Sequence, residues 1–102
     1  MNIARWTTPS ITYKPKLVNA SDIAEIRMEI SQGSYNIVKT QTDATLSEGR
    51  FYWRLSQEET SGLVTDKTGV LQIDYVSNAG DRYTTQRHIL TISNSAIDEV
   101  IS

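Results

Sequence analysis

Apolar and polar side chains alternate along two stretches of this chain. Residues 25–30 read Glu-Ile-Arg-Met-Glu-Ile, and residues 50–55 read Arg-Phe-Tyr-Trp-Arg-Leu. Successive side chains of a β-strand point to opposite faces, so each stretch has one apolar and one polar face when it is extended. The pattern predicts two strands that are buried on one side.

The first stretch also has a helical interpretation. Asp22 is a possible N-cap, followed three residues later by Glu25. Ile23, Ile26 and Ile30 would then share a helical face. The helical interpretation leaves the apolar Met28 outside this apolar face, whereas the strand pattern accounts for every residue of the stretch. The strand interpretation is therefore favoured.

Turn signals separate further strand-like runs. Gln32-Gly33-Ser34 and the loop over residues 77–81 predict hairpin turns. Residues 42–49 predict a polar loop with Leu46 turned inward. A short run between Pro9 and Pro15 predicts an edge strand, because proline cannot donate to a ladder. The run between the prolines covers residues 11–13. Three further strands are predicted over residues 35–41, 70–76 and 83–92, the last as one long strand.

Short strands with short connections predict an all-β fold. The expected architecture is an antiparallel two-sheet β-sandwich, immunoglobulin-like, of about six to seven strands. Residues 1–102 form one domain, with residues 1–8 as a leader and 95–102 as a tail. Two short helical pieces are expected, near residues 57–61 and 96–101. The predicted core consists of Ile26, Met28, Ile30, Phe51, Trp53, Leu55, Leu71, Ile73, Leu90 and Ile92.

Composition narrows the possible partners. Ten basic and twelve acidic residues give a formal charge of −2, and no cysteine is present. Without a run of basic residues the chain has no nucleic-acid footprint, and no apolar run approaches the roughly 20 residues that span a bilayer. No thiolate metal site or disulfide is possible. We expect synthesis in the cytoplasm, no nucleic-acid partner and no membrane association.

The residues that resemble catalytic groups have structural explanations. Glu58 and Glu59 are adjacent, but Ser56 and Glu59 have the spacing of a capping box, and Gly62 follows where one helical turn would end. His88 is the only histidine and has no second histidine or cysteine to share a metal. We therefore expect no enzyme activity, no catalytic or metal-binding residues and no cofactor.

Aromatic residues leave two interpretations open. Trp6 and the tyrosines at positions 13, 52, 75 and 83 are candidates for a sugar-stacking platform, which keeps a carbohydrate-binding module as an alternative function. Ordinary packing between strands explains the same residues. Trp6 lies in a polar leader, where contact with a partner protein would bury it, and tryptophan is enriched at such contacts.

Several segments resemble small proteins encoded in prophages of Gram-positive bacteria. Residues 5–9, Arg-Trp-Thr-Thr-Pro, resemble the R-x-T-T-P opening of those proteins, and residues 55–60, Leu-Ser-Gln-Glu-Glu-Thr, are the most specific matching segment. The resemblance covers nearly the whole chain; further matching segments are 30–32, 72–73, 80–82 and 97–101. The strand order, the turn at 80–82 and the last strand are also similar to the N-terminal β-sandwich of phage baseplate upper proteins.

The resemblance implies a structural or interaction module of a phage or prophage. This chain has no counterpart of the long extension that baseplate proteins carry, so an accessory role in tail or virion structure is what the resemblance implies, with virion association after assembly. The family has no catalytic residues to transfer. We expect protein partners or self-association through a sheet edge and the N-terminal segment, with contact residues Arg5, Trp6, Thr7, Thr8 and Tyr13.

Overall fold

The computed structural model describes residues 1–85 and 87–94. Within these residues the fold is all-β, as predicted, with nine strands instead of about six to seven. Two single 3-10 turns, Ala20–Asp22 and Gln41–Asp43, lie between strands. The strands and the one α-helix are β1 Asn2–Ala4, β2 Ser10–Tyr13, β3 Ile23–Gln32, β4 Tyr35–Thr40, β5 Thr45–Ser47, β6 Arg50–Arg54, α1 Gln57–Ser61, β7 Gly69–Ser77, β8 Arg82–Thr84 and β9 His88–Ser93.

The strands form two sheets that share one hydrophobic core. The larger sheet has six strands in the order β1-β9-β7-β3-β4, with β8 paired to the second half of β7. The smaller sheet has the order β2-β6-β5. Every described strand pair is antiparallel except β1 with β9, which is parallel.

Period-two alternation correctly identified the buried faces. All ten predicted core residues are buried, and Met28, Trp53 and Leu55 have no exposed surface. The helical interpretation of residues 22–30 is wrong, because β3 is paired on both sides, with β4 and with β7. The indole N–H of Trp53 donates to the Thr40 carbonyl at 2.9 Å, which satisfies the polar atom of this buried side chain.

Two predicted irregular segments contain strands. Residues 1–8 are not a free leader, because β1 pairs with β9 and Ile3 is 1% exposed. The predicted loop over residues 42–49 contains β5. Leu46 lies on the inward face, opposite Phe51, but at this edge it stays 51% exposed. A two-residue turn, Glu48-Gly49, joins β5 to β6 with φ angles of 54° and 74°. That left-handed turn matches strand twist, and Gly49 adopts it without a steric penalty.

The return strand predicted over residues 83–92 is divided into β8 and β9. Leu71 and Asp74 of β7 are separated by two residues, whereas their partners His88 and Thr84 are separated by three. The one extra residue on the return strand changes which alternate side chains point inward, as a β-bulge does. Tyr83 therefore pairs with the inward Tyr75, and Leu90 is also buried.

The predicted capping box at α1 is confirmed. The Glu59 N–H donates to the Ser56 hydroxyl at 3.1 Å, and the Ser56 N–H donates to the Glu59 carboxylate at 2.8 Å. Gly62 ends the turn, as predicted, with a right-handed backbone at φ of −74°. An added Cβ there would overlap the ring of Tyr35. The predicted tail and second helical piece lie outside the described residues.

Candidate functional site

The N-terminal segment 5–9 carries the chain from the larger sheet to the smaller one. Its centre is bonded to α1: the Thr7 N–H donates to the Thr60 hydroxyl at 3.1 Å, and that hydroxyl donates to the Thr7 carbonyl at 2.8 Å. Thr60 has no exposed surface. At the end of the segment, the Leu55 N–H donates to the Pro9 carbonyl at 2.9 Å. The segment is therefore part of the fold.

Arg5 is also held within the molecule. Its N–H donates to the Ser93 carbonyl at 2.8 Å. Its guanidinium donates to the Ser61 carbonyl at 2.9 Å and to the Asn94 amide oxygen at 3.3 Å. These bonds tie the end of β1 to α1 and to the end of β9, which gives Arg5 a structural role that the sequence did not predict.

Trp6 is half-buried and adopts a left-handed backbone conformation. Its φ is 64°, one of two positive values among the described residues that are not glycine. A bulky residue with positive φ is uncommon, because its Cβ crowds the following carbonyl oxygen. The turn at Trp6 directs the chain from β1 towards Thr7 and α1.

Tyr13 belongs to a tyrosine cluster between the sheets. Its ring centroid is 6.0 Å from that of Tyr75, which stacks on Tyr83 at 4.9 Å. Burial, followed by the hydrogen bond with Tyr75, raises the pKa of Tyr13. All the aromatic residues lie in the described ranges, and each is buried or half-buried. They do not form the exposed row that a sugar-stacking platform requires.

The open side of β2 presents unpaired main-chain groups. In the β5–β6 hairpin, Ser47 and Arg50 lie beside the two-residue turn and form a hydrogen-bonded pair. The main-chain groups of successive β6 residues therefore point alternately to β5, starting with Arg50, and to β2. Ile11 and Tyr13 lie opposite Trp53 and Phe51 and bond to β6. By alternation, the N–H and C=O groups of Ser10 and Thr12 point away from the sheet.

Two other edges of the described sheets are partly closed by hydrogen bonds. On β4, the Thr40 N–H donates to Asp43 at 2.9 Å and the Thr40 carbonyl accepts from Trp53. Lys39 is also paired with the inward Met28, and an inward charge discourages strand addition. On β1, the Ala4 carbonyl accepts the hydroxyl of Thr7.

The remaining edges are short. β5 has three residues and is bonded to β6 through its first and last, so Leu46 alone directs main-chain groups outward. β8 also has three residues, includes the charged Arg82 and precedes the extra residue of the return strand. Short strands, charges and bulges all limit edge pairing. β2 is also short, with four residues, and Pro9 and Pro15 flank it. Among the described residues, however, no inward charge, bulge or side-chain hydrogen bond closes its open side.

Basic residues lie on the outer face of the smaller sheet, beside this open edge. Phe51 and Trp53 are buried, so Arg50, Tyr52 and Arg54 point outward, and Arg50 and Arg54 are exposed. The other outward residues of β2 and β5 are serines and threonines, by the same alternation. The part of this face that the structure describes carries no carboxylate. The alternation of residues 50–55 predicts that Arg50 and Arg54 share this polar face, whereas its position beside the open edge follows only from strand pairing.

The concave surfaces have different chemistry. One groove, of about 660 Å³, is lined by Glu25, Arg27, Asp74 and Arg82 together with uncharged neighbours. A second groove beside α1, about 450 Å³, contains the Lys39–Glu59 ion pair at 2.8 Å. Among the residues that the structure describes, no three metal-binding side chains are grouped, and no helix is long and apolar enough to cross a membrane.

Glu59 links the capping box to this ion pair. Burial acts to raise the pKa of Glu59, but the bonds from Lys39 and from the Ser56 N–H outweigh it, and the pKa lies below its ordinary value of 4.5. An ionised, hydrogen-bonded Glu59 is suited to holding α1 against β4.

Comparison with known proteins gives no family for this chain. No family model matches it, and no curated protein matches it. Among solved structures, the chain is similar to murine CRIg, with a TM-score of 0.46 and 9% sequence identity over 93% of this chain and 91% of that chain. A likeness at this identity and score says nothing about what the chain does.

Proposed function

We propose that this protein is a non-enzymatic structural or interaction module of a bacteriophage or prophage, folded as an immunoglobulin-like two-sheet β-sandwich. It works through protein–protein contact as an accessory to tail or baseplate assembly, after synthesis in the cytoplasm. The observation that carries the proposal is the open edge of β2, where the main-chain groups of Ser10 and Thr12 have no strand partner among the described residues. An unprotected edge is a template for pairing with another chain.

The resemblance to prophage-encoded proteins supports the same function. Virion parts are assembled from repeated protein contacts, and a small sheet that gains a strand from a neighbour is one simple way to make such a contact. Two of the predicted contact residues lie at this strand: Thr8 is two residues before β2, and Tyr13 is its last residue. Arg5 and Thr7 bond within the fold, so the β2 edge is a better contact surface than the leader.

Proline substitutions test the edge without removing a ladder bond. Thr12→Pro removes an N–H that points away from the sheet, and Val38→Pro is the matched control on the open side of β4. We expect Thr12→Pro to abolish self-association, or association with the products of neighbouring genes, as measured by light scattering, while Val38→Pro retains it.

A second pair of variants controls for misfolding caused by proline. Thr12→Glu and Val38→Glu place a charge on each edge without changing the backbone, and thermal denaturation verifies that each variant folds. Equal association by all four folded variants would exclude the β2 edge as the contact surface.

A further inference from the structure

Two cations flank β2 near its two ends, one on the neighbouring strand β6 and one in the chain that follows β2. Arg54 is opposite Ser10 in the register, and its guanidinium donates to the Thr8 hydroxyl at 3.2 Å, so its charge extends over the chain that leads into β2. Lys14 follows Tyr13 directly and is exposed. Within the described ranges, neither cation has an ion-pair partner, whereas Arg27 and Lys39 do. Arg54 and Lys14 are therefore available to a ligand at this edge.

The two sides of the edge differ in chemistry. The outer side has the small hydroxyl residues Ser10 and Thr12 between the two cations, and the inner side has the buried Ile11 and the half-buried Tyr13. A strand added to β2 would place alternate side chains beside these two rows. Its outer side chains would lie near cations, and its inner side chains would continue the apolar row.

The main-chain groups distinguish between classes of ligand. Ser10 and Thr12 each offer one donor and one acceptor, an alternation that a peptide backbone matches. A phosphate polymer offers acceptors along its backbone and would leave the carbonyls unpaired.

We propose that the β2 edge binds an extended segment of a partner protein whose side chains alternate between acidic on the outer face and apolar on the inner face. The proposal rests on the proposed function and specifies its partner. Arg54 and Lys14 pair with acidic residues at the two ends of the segment, about 14 Å apart for four residues of strand. Tyr13 is covered by an apolar side chain from the same segment.

Capped hexapeptides provide defined probes for this proposal. Three sequences are titrated into the full chain: alternating Glu and Val, alternating Lys and Val, and alternating Ser and Val. Amide chemical shifts report the binding position and affinity. We expect shifts at Ser10 and Thr12, with the Glu peptide binding about tenfold more tightly than the Ser peptide and the Lys peptide most weakly.

Charge variants separate edge pairing from charge recognition. Arg54→Gln and Lys14→Glu should each remove most of the preference for the Glu peptide, while Arg27→Gln, on the other sheet, should leave it unchanged. Thr12→Pro should remove binding of all three peptides. Equal affinity for the three peptides, shifts confined to β4, or no shift with any peptide would overturn the acidic-segment proposal. The proposed function is judged separately, by the light-scattering comparison of edge variants.

Discussion

Trp6 occupies a backbone conformation that glycine adopts freely and tryptophan does not. Its φ of 64° lies in the left-handed region, and its side chain is half-buried. The bonds of Arg5 and Thr7 on either side hold the turn in place. Strain of this kind persists only where the surroundings over-determine the backbone, so the turn is a fixed part of the crossing between sheets.

Two substitutions at Trp6 measure that strain. Trp6→Ala and Trp6→Gly both remove the indole, but only glycine relieves the left-handed conformation. We expect Trp6→Gly to be more stable than Trp6→Ala by about 1 kcal/mol in equilibrium urea denaturation. If alanine proves equal or better, the turn does not depend on the φ angle at this position.

At the scale of a single element, α1 is too short to be stable alone. Isolated helices of fewer than roughly 12 residues are marginal in water, and α1 has five residues. Its capping box closes its first turn. The Lys39–Glu59 pair and the Tyr35 hydroxyl, which donates to the Glu59 carbonyl at 2.6 Å, attach it to β4. Glu59 takes part in each of these attachments.

This attachment should depend on pH. Because the folded pKa of Glu59 lies below its ordinary 4.5, the stability from its ionised form is complete above that value and is lost as pH falls through the folded pKa. Glu59→Gln retains a cap but loses the ion pair, at a cost of about 0.5–1 kcal/mol at pH 7 for this part-exposed pair. We expect the difference from wild type in denaturation to disappear at acid pH.

Glu58→Gln is the matched control for this measurement. It makes the same charge change at the neighbouring, exposed position. A loss of stability at pH 7 equal to that of Glu59→Gln would show that the ion pair contributes nothing specific.

For the whole molecule, Thr60 joins the N-terminal segment to α1. Its buried hydroxyl accepts from Thr7 N–H and donates to the Thr7 carbonyl. Deleting residues 1–8 would therefore remove β1, the buried Ile3 and these bonds together, and would not isolate a docking function. Point substitutions on the β2 edge avoid that difficulty.

Thr60→Val tests this connection with little change of shape. The valine leaves the Thr7 N–H and C=O without their partner, at an expected cost of about 1–3 kcal/mol. Thr65→Val, at an exposed position, is the control and should change the free energy of unfolding by less than about 0.5 kcal/mol. A Thr60→Val protein as stable as wild type in urea denaturation would show that the segment is held mainly by other contacts.

Local pattern determined the buried faces of the long strands and the short helical turn. Alternation placed Ile26, Met28 and Trp53 in the core because a strand in a sheet must bury one face, whichever strands lie beside it. The spacing of Ser56 and Glu59 defined the capping box because its bonds span only three residues. The sequence also indicated that a bulge was able to switch the inward set between Tyr83 and Leu90, and the register shows that switch.

Tertiary structure decided which segments become partners. β1 and β5 are each three residues long and carry too little pattern to be recognised alone; pairing with β9 and β6 makes them strands. The open edge of β2 and the cations beside it depend on the order of strands in the smaller sheet. Arg54 and Lys14 are distant in the sequence and lie beside the same edge only because β6 pairs with β2. Side-chain periodicity is a local property, whereas edges and charged faces arise from contacts between segments far apart in the chain.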